Sequence, residues 1–338
     1  MLMSTSKRFL SASVLAGALL VCCAGWSTVC AADVAERPAG TAAEAASGVA
    51  AVDAAGRPID VAALVERLRA ARFILLGEIH DNPDHHRLRA ELLRALLSDG
   101  VATRVVFEQI DRQHNAALAR APRDAESTAT AGQLDRKSWE WPLHRPVVEA
   151  ALGGGATIIG GNLARAETTQ VMRGGVAAAP SDLQRWLAPP SVDSIQNAGA
   201  WTSAQDAEVI RQVDEGHCRA LPATMLAPMA LAQRSRDASL ALAMTQAPEG
   251  TRVVLIAGNG HVRTDTGVPH YLRLQRLGSA ASGAGPAAAR ADGVLSIGFL
   301  EVAPGATSVA DAPYDEAWFT PAISRPDPCE RIPKAAKV

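Results

Sequence analysis

The chain reads as an α/β protein: a mostly parallel sheet flanked by helices, with a helical insertion between the third and fourth main strands. Three observations carry that reading. Short, nearly unbroken apolar runs recur at Phe73 to Leu76, Thr103 to Phe107, Ala156 to Gly160 and Arg252 to Ala257, the pattern of strands buried on both faces. Each run ends in a polar or glycine-rich turn. The stretches between them carry apolar residues at helical spacing.

The N-terminus has the layout of an export signal. Lys7 and Arg8 form a short positive region, Phe9 to Trp26 is almost wholly apolar, and small residues follow at Cys30-Ala31-Ala32. Residues 1–32 are expected to leave as a signal peptide, giving an exported, periplasmic protein. A lipid anchor at Cys22 or Cys23 is the membrane-associated alternative; it would need a small residue just before the cysteine, where Val21 and Cys22 stand. Residues 33–57 are rich in alanine and small polar residues and read as a disordered linker.

The folded domain is expected over 58–303. Leu64, Val65 and Leu68 mark a first amphipathic helix leading into Phe73-Ile74-Leu75-Leu76. The chain then breaks at Gly77 and presents Glu78 and His80. Asn82 followed by Pro83 starts a helix, a capping side chain and then proline at the first helical position. Leu88, Leu92, Leu93, Leu96 and Leu97 give that helix its inner face, and Asp99-Gly100 ends it. The second strand ends on Glu108. A helix over about Asp111 to Arg120, a polar loop with Trp139 and Trp141, and a helix closed by Gly153-Gly154-Gly155 lead to the third strand and Asn162.

Residues 164–247 show helical patterns alone, over Ala204 to Val213 and Ala223 to Met244, and form the expected insertion. The fourth strand breaks into Gly258-Asn259-Gly260-His261. Ser279 to Ala291 is low in complexity and reads as a loop. Val294 to Val302 closes the domain as a last strand, and 304–338 reads as a proline-rich, extended tail.

Composition bounds the function. In 338 residues a formal charge of −2 gives no case for nucleic acid, which needs a concentrated basic face. Cys218 and Cys329 survive signal removal and enter an oxidising space, where they can pair or stay free.

The candidate site is the set of strand ends: Glu78 and His80, Glu108, Asn162, and His261. In a parallel sheet these turns share one edge, where ligand sites collect. Gly77 and Gly258 each precede a histidine by three residues, so Gly-x-x-His occurs twice after a buried strand. His80, Glu108 and His261 are candidate ligands for zinc, manganese or iron. His85 is expected to pack beside the site, while His86 and His114 read as exposed. His144 could reach the site or cap a helix. Met225 and Met229 could meet haem iron or fill the core. Gln233, Arg236 and Asp237, at successive-turn spacing, could aim at the strand ends or face water.

Together these stretches resemble the ChaN-like haem-binding uptake proteins of the wider Tiki/TraB/erythromycin-esterase superfamily. The likeness rests on Leu-Leu-Gly77-Glu78-Ile-His80-Asp-Asn, Val-Val-Phe-Glu108-Gln, Ala232-Gln233-Arg-Ser-Arg236-Asp237 and Gly258-Asn-Gly-His261-Val-Arg-Thr-Asp-Thr-Gly267-Val-Pro269. It runs from about Ile59 to Val302. It implies an exported haem-binding protein serving a haem or iron uptake system, with a homodimer around the cofactor as one arrangement. A tyrosine iron ligand belongs to that picture, which nominates Tyr271, with His80, His261 and His144 as further haem-binding candidates. Other branches of the superfamily imply a metal-dependent hydrolase, with Glu78, His80, Glu108 and His261 as its catalytic set.

Overall fold

The computed structural model describes residues 50–53, 55–187, 201–279, 293–302 and 312–331. The expected signal peptide, most of the linker, the low-complexity loop and the last residues of the tail lie outside these residues.

Eight strands form one mixed sheet: β1 (Ala50–Asp53), β2 (Pro58–Ile59), β3 (Phe73–Leu76), β4 (Thr103–Asp111), β5 (Thr157–Asn162), β6 (Arg252–Ile256), β7 (Val294–Val302) and β8 (Glu316–Pro321). Their order is β2-β1-β8-β7-β3-β6-β4-β5. Pairing is parallel from β8 across to β5, and antiparallel where β1 meets β8 and β2. The helices are α1 (Val61–Ala70), α2 (Pro83–Leu97), α3 (Asn115–Leu118), α4 (Ala125–Ala131), α5 (Trp141–Gly153), α6 (Arg165–Gly174), α7 (Ser181–Leu187), α8 (Ser203–Gly216), α9 (Ala223–Thr245) and α10 (Val268–Ser279). Those between β5 and β6 are α6 to α9, and no strand lies among the described residues there. No helix among the described residues is long and apolar enough to cross a membrane.

The strand pleat sorts the core into two layers. Ile74 and Leu76 of β3, Val254 and Ile256 of β6 and Phe107 of β4 pack with Leu64, Leu68, Leu93, Leu96 and Val147 of α1, α2 and α5. Their neighbours Phe73, Leu75, Val253, Leu255 and Val106 point the other way, onto Leu240, Ala241, Met244 and Leu272 of α9 and α10. A strand covered on both faces has no solvent side, so its sequence shows no alternation.

Two expected boundaries move. Ala50–Asp53 lies in the stretch read as linker, yet it pairs with both β2 and β8. Glu316–Pro321 lies in the stretch read as tail, yet it extends the parallel sheet beside β7. Both strands are short and lean on each other, so neither has a strong pattern of its own. The Cys218–Cys329 pair, left open by the sequence, is a disulfide with a Cα–Cα separation of 5.4 Å.

Candidate functional site

The adjacent strands β3, β6 and β4 end side by side, and the loops leaving them build the site. Gly77 turns the chain off β3 where a Cβ would collide with Asn259 and Val262. Asn259 locks the neighbouring loop in place: its N–H donates to the Glu78 carbonyl at 2.9 Å, and its side-chain oxygen accepts from Phe299 N–H at 3.1 Å. Asn82 caps α2 by accepting from the N–H groups of Asp84 (2.9 Å) and His85 (3.2 Å), which fixes the direction of that helix away from the turn.

Glu78 is the hub of the first half. Its Oε1 accepts from His80 Nδ1 at 2.7 Å, His144 Nε2 at 3.2 Å and Gln109 Nε2 at 3.3 Å. Its Oε2 faces the guanidinium of Arg89, which is fully buried. Arg89 also donates to His86 Nδ1 at 3.0 Å, and His86 Nε2–H donates to the His80 carbonyl at 2.8 Å. These bonds fix the ring states. His86 accepts at one nitrogen and donates at the other, so it is neutral; burial and the neighbouring His144 pull it down to about 3. Burial and Arg89 pull His144 down to about 3 as well. His80 donates its Nδ1–H to Glu78 Oε1, and its Nε2 keeps a lone pair that no described residue uses. Burial lowers His80 as well, against the attraction of Glu108.

Glu108 is the hub of the second half. It sits in β4 where the register with β5 shifts, between Phe107 and Asp111. Its Oε2 accepts from Gly258 N–H at 2.8 Å and its Oε1 from His261 Nε2 at 3.1 Å. The other ring nitrogen of His261 meets Asp237 Oδ1 at 2.6 Å. An imidazole held between two carboxylates donates from both nitrogens. Burial alone would lower His261, but Glu108 and Asp237 raise it to about 10. Burial raises Asp237 to about 6. Burial would also raise Glu108, yet the His261 charge, His80 and the Gly258 N–H hold it well below the usual carboxylate range. Gly258 joins the halves: a Cβ there would lie 3.0 Å from the His80 ring and 3.7 Å from Glu108 Oε2.

The strand ends therefore bring together Glu78, His80, Glu108 and His261, with Asn162 donating to the Glu108 carbonyl at 3.0 Å. His144 joins them from α5. Tyr271 does not. It is buried in the second core layer, stacked on Trp201 at 5.9 Å and next to Trp186 and His270. His86, expected to be exposed, is 1% exposed and part of the Glu78 network. The sequence reading missed Arg89 and Gln109. Arg89 follows His86 by three and precedes Leu93 by four, a row on one helix face that marks it as inward.

His80 is the open position. Its side chain is 46% exposed, with Trp139 edge-on at 4.8 Å. Glu78, His80 and His144 each offer a ligand atom, all within 4.8 Å of one another. That is one carboxylate and two imidazoles, a donor set suited to zinc, manganese or iron. His261, named with His80 and Glu108 as a metal ligand from sequence, has both nitrogens committed to carboxylates.

A family model described as "Haem-binding uptake, Tiki superfamily, ChaN" matches residues 64–272. Among solved structures, one titled "Cofacial heme binding to ChaN of Campylobacter jejuni" aligns with a TM-score of 0.61 and 18% identity, covering 80% of this chain and 96% of that one. The type III effector HopBA1 aligns at 0.41 and 13% identity, covering 77% of this chain and 93% of that one. An erythromycin esterase in its open conformation aligns at 0.36 and 16%, covering 79% and 81%. No curated protein gives a match. The first of these structures shows a shared fold.

Proposed function

The chain belongs to the ChaN family of haem-binding uptake proteins in the Tiki superfamily, and from that premise we propose that it binds haem as an exported protein of haem or iron uptake. The observation that carries the reading at residue level is His80. A half-exposed imidazole whose Nδ1–H is held by a buried carboxylate keeps its Nε2 lone pair for a metal, and the carboxylate strengthens that donor. Bound haem would supply an iron that takes a nitrogen donor, and His80 is the residue that would hold it. Glu78 orients the ring, and Trp139 offers an aromatic wall.

The phenols fit that role less well. Iron takes a phenolate, and burial raises Tyr271 above the ordinary tyrosine range and Tyr314 to about 12. His261 spends both ring nitrogens on Glu108 and Asp237, and His144 is fully buried with its Nε2 on Glu78. The Cys218–Cys329 disulfide agrees with an oxidising, extracytoplasmic location such as the periplasm. The test is haemin titration of the purified protein with sedimentation on the same samples. A saturable Soret shift is expected, at least tenfold weaker in His80→Ala and unchanged in Tyr271→Phe, with sedimentation reading whether two chains share the ligand. A folded protein with no saturable shift overturns the proposal.

One observation favours a second reading, a metal-dependent hydrolase: the Glu78, His80 and His144 donor group. Bound zinc, manganese or iron would supply a Lewis acid and an acidified water. Glu78, His80 and His144 would hold that ion, and Glu108 would stay ionised beside His261. Metal analysis tests it. One ion per chain, lost in His144→Ala, is the expected result, and a metal-free protein after growth with each ion sinks it.

A further inference from the structure

The segment after β8 ties two distant parts of the molecule together, and one of them is the turn that carries His80. Leaving β8, Ala322 N–H donates to the Val302 carbonyl at 3.3 Å and Ile323 N–H to Glu301 Oε1 at 3.4 Å. Arg325 then forms two paired contacts. Its Nε and Nη2 donate to the two oxygens of Asp81 at 2.8 and 2.9 Å, and its Nη1 and Nη2 to those of Glu301 at 2.6 Å each. Glu301 also accepts from Asn82 Nδ2 at 2.6 Å. Asp81 and Asn82 directly follow His80, so one guanidinium and one carboxylate grip that turn from the C-terminal side. Four residues after Arg325 the segment ends on Cys329, bridged to Cys218 just beyond α8. The next helix, α9, carries Gln233 and Asp237, both against His261.

The grip is bidentate on both carboxylates, a geometry that arginine holds far better than a point charge does. Its partners are unevenly exposed. The side chain of Glu301 is 10% exposed, while those of Asp81 and Arg325 are 40% and 29%. An ion pair so open to water holds a turn only if its arginine is presented in place. The disulfide does the presenting, because it fixes the far end of a short segment whose near end is fixed by the sheet. Cys329 is exposed and Cys218 half-buried, so a reductant reaches the bridge without unfolding the domain.

We propose that residues 322–331 form a redox-sensitive clamp in which the Cys218–Cys329 disulfide holds Arg325 on the His80 turn, so that reduction loosens the site and weakens its hold on ligand. The step is thiol–disulfide exchange with a dithiol reductant. The reductant gives two electrons and two protons, the S–S bond becomes two thiols, and the reductant leaves as its own disulfide. Arg325 is a positioning residue here: it acts on His80 through Asp81 and Asn82. The ligand part of the proposal rests on the haem reading above; the clamp itself does not.

Hydrogen exchange on the full chain tests it, with and without dithiothreitol. The reporters are the amides of Ile79, which donates to His85 Nδ1 at 2.9 Å, and Asn82, which donates to the Ile79 carbonyl at 3.0 Å. Amides of β6 report that the sheet stays folded. Reduction is expected to speed exchange at 79–82 by roughly tenfold or more while β6 stays protected. Arg325→Ala, with the disulfide intact, is expected to give the same rise, and reduction should then add little. Unchanged exchange on reduction overturns the clamp, as does a full second rise on reducing Arg325→Ala. Haemin titration of the same samples is read separately, with affinity expected to fall about tenfold on reduction, about 1.4 kcal/mol. Failure of haemin to bind the oxidised protein removes the haem reading and leaves the clamp to be judged by exchange.

Discussion

Replacing Arg89 with methionine tests whether the Glu78 network is held by one buried cation. Arg89 is fully buried and Glu78 is 2% exposed, and they meet directly. Burial pulls Arg89 down to about 9, against the raising effect of Glu108, so it stays charged at neutral pH. Methionine keeps much of the side-chain length and removes the charge. Glu78 would then keep only neutral donors from His80, His144 and Gln109, none of which balances a carboxylate out of water. Breaking a buried pair from one side costs about 3–5 kcal/mol, a large share of the 5–15 kcal/mol typical of a folded domain. Removing both charges is different, since a neutral pair of similar volume is often as stable as the ion pair. Arg89→Met/Glu78→Gln is therefore expected to recover about 2 kcal/mol or more of the loss, a coupling that a double-mutant cycle isolates. Urea unfolding followed by tryptophan fluorescence and circular dichroism supplies the free energies, with equal m-values as the check on comparison. A single-variant loss under about 1 kcal/mol, or a double variant no better than the sum of the singles, would refute the assignment of Arg89 as the balancing charge.

Other expectations follow from the same geometry. Gly258→Ala places a methyl 3.0 Å from the His80 ring, which is half-exposed and can give way by a few tenths of an ångström at the expense of its alignment on Glu78, so stability should fall by about 1 kcal/mol or less while haemin affinity drops at least tenfold; titration and urea unfolding of one sample read both. His261 is raised from 6.5 to about 10, so its stabilisation is complete below pH 6.5 and is lost as pH rises through 10. Asp237→Asn takes away one of its two carboxylates and should move that alkaline loss to lower pH, seen by NMR titration of the ring and by melting temperature against pH. Reducing the Cys218–Cys329 bridge, which closes a loop of 111 residues, should lower the melting temperature by about 10 °C, from roughly 4–5 kcal/mol of chain entropy. An unchanged melting temperature after complete reduction would contradict that.

The legible part of this protein is the part with local pattern. Unbroken apolar runs announce β3, β4 and β6 because both faces of each are covered, and the residues after them fall at one edge because parallel strands share a direction. β8 is hidden because Glu-Ala-Trp-Phe-Thr-Pro, between acidic residues and prolines, becomes a strand only when β7 and β1 stand on either side of it. Arg89 and His86 are hidden for a different reason. A charged or imidazole side chain on an amphipathic helix reads as a wet face until a carboxylate from another element is seen to meet it.

The same limit governs the choice of ligand. Sequence spacing makes His80 and His261 twins, each the fourth residue of a Gly-x-x-His after a buried strand. In the structure they have opposite roles, and the difference lies in what surrounds each ring. His261 meets Glu108 on one side and Asp237 on the other, so both nitrogens carry protons and neither can bind a metal. His80 meets one carboxylate, Glu78, and its other nitrogen stays open. The deciding residue, Asp237, comes from α9, a helix whose Gln233, Arg236 and Asp237 row could equally have faced water. A motif therefore locates the chemistry here, but a count of carboxylates around each ring assigns it. Replacing Asp237 is then the substitution that should make the two histidines most alike.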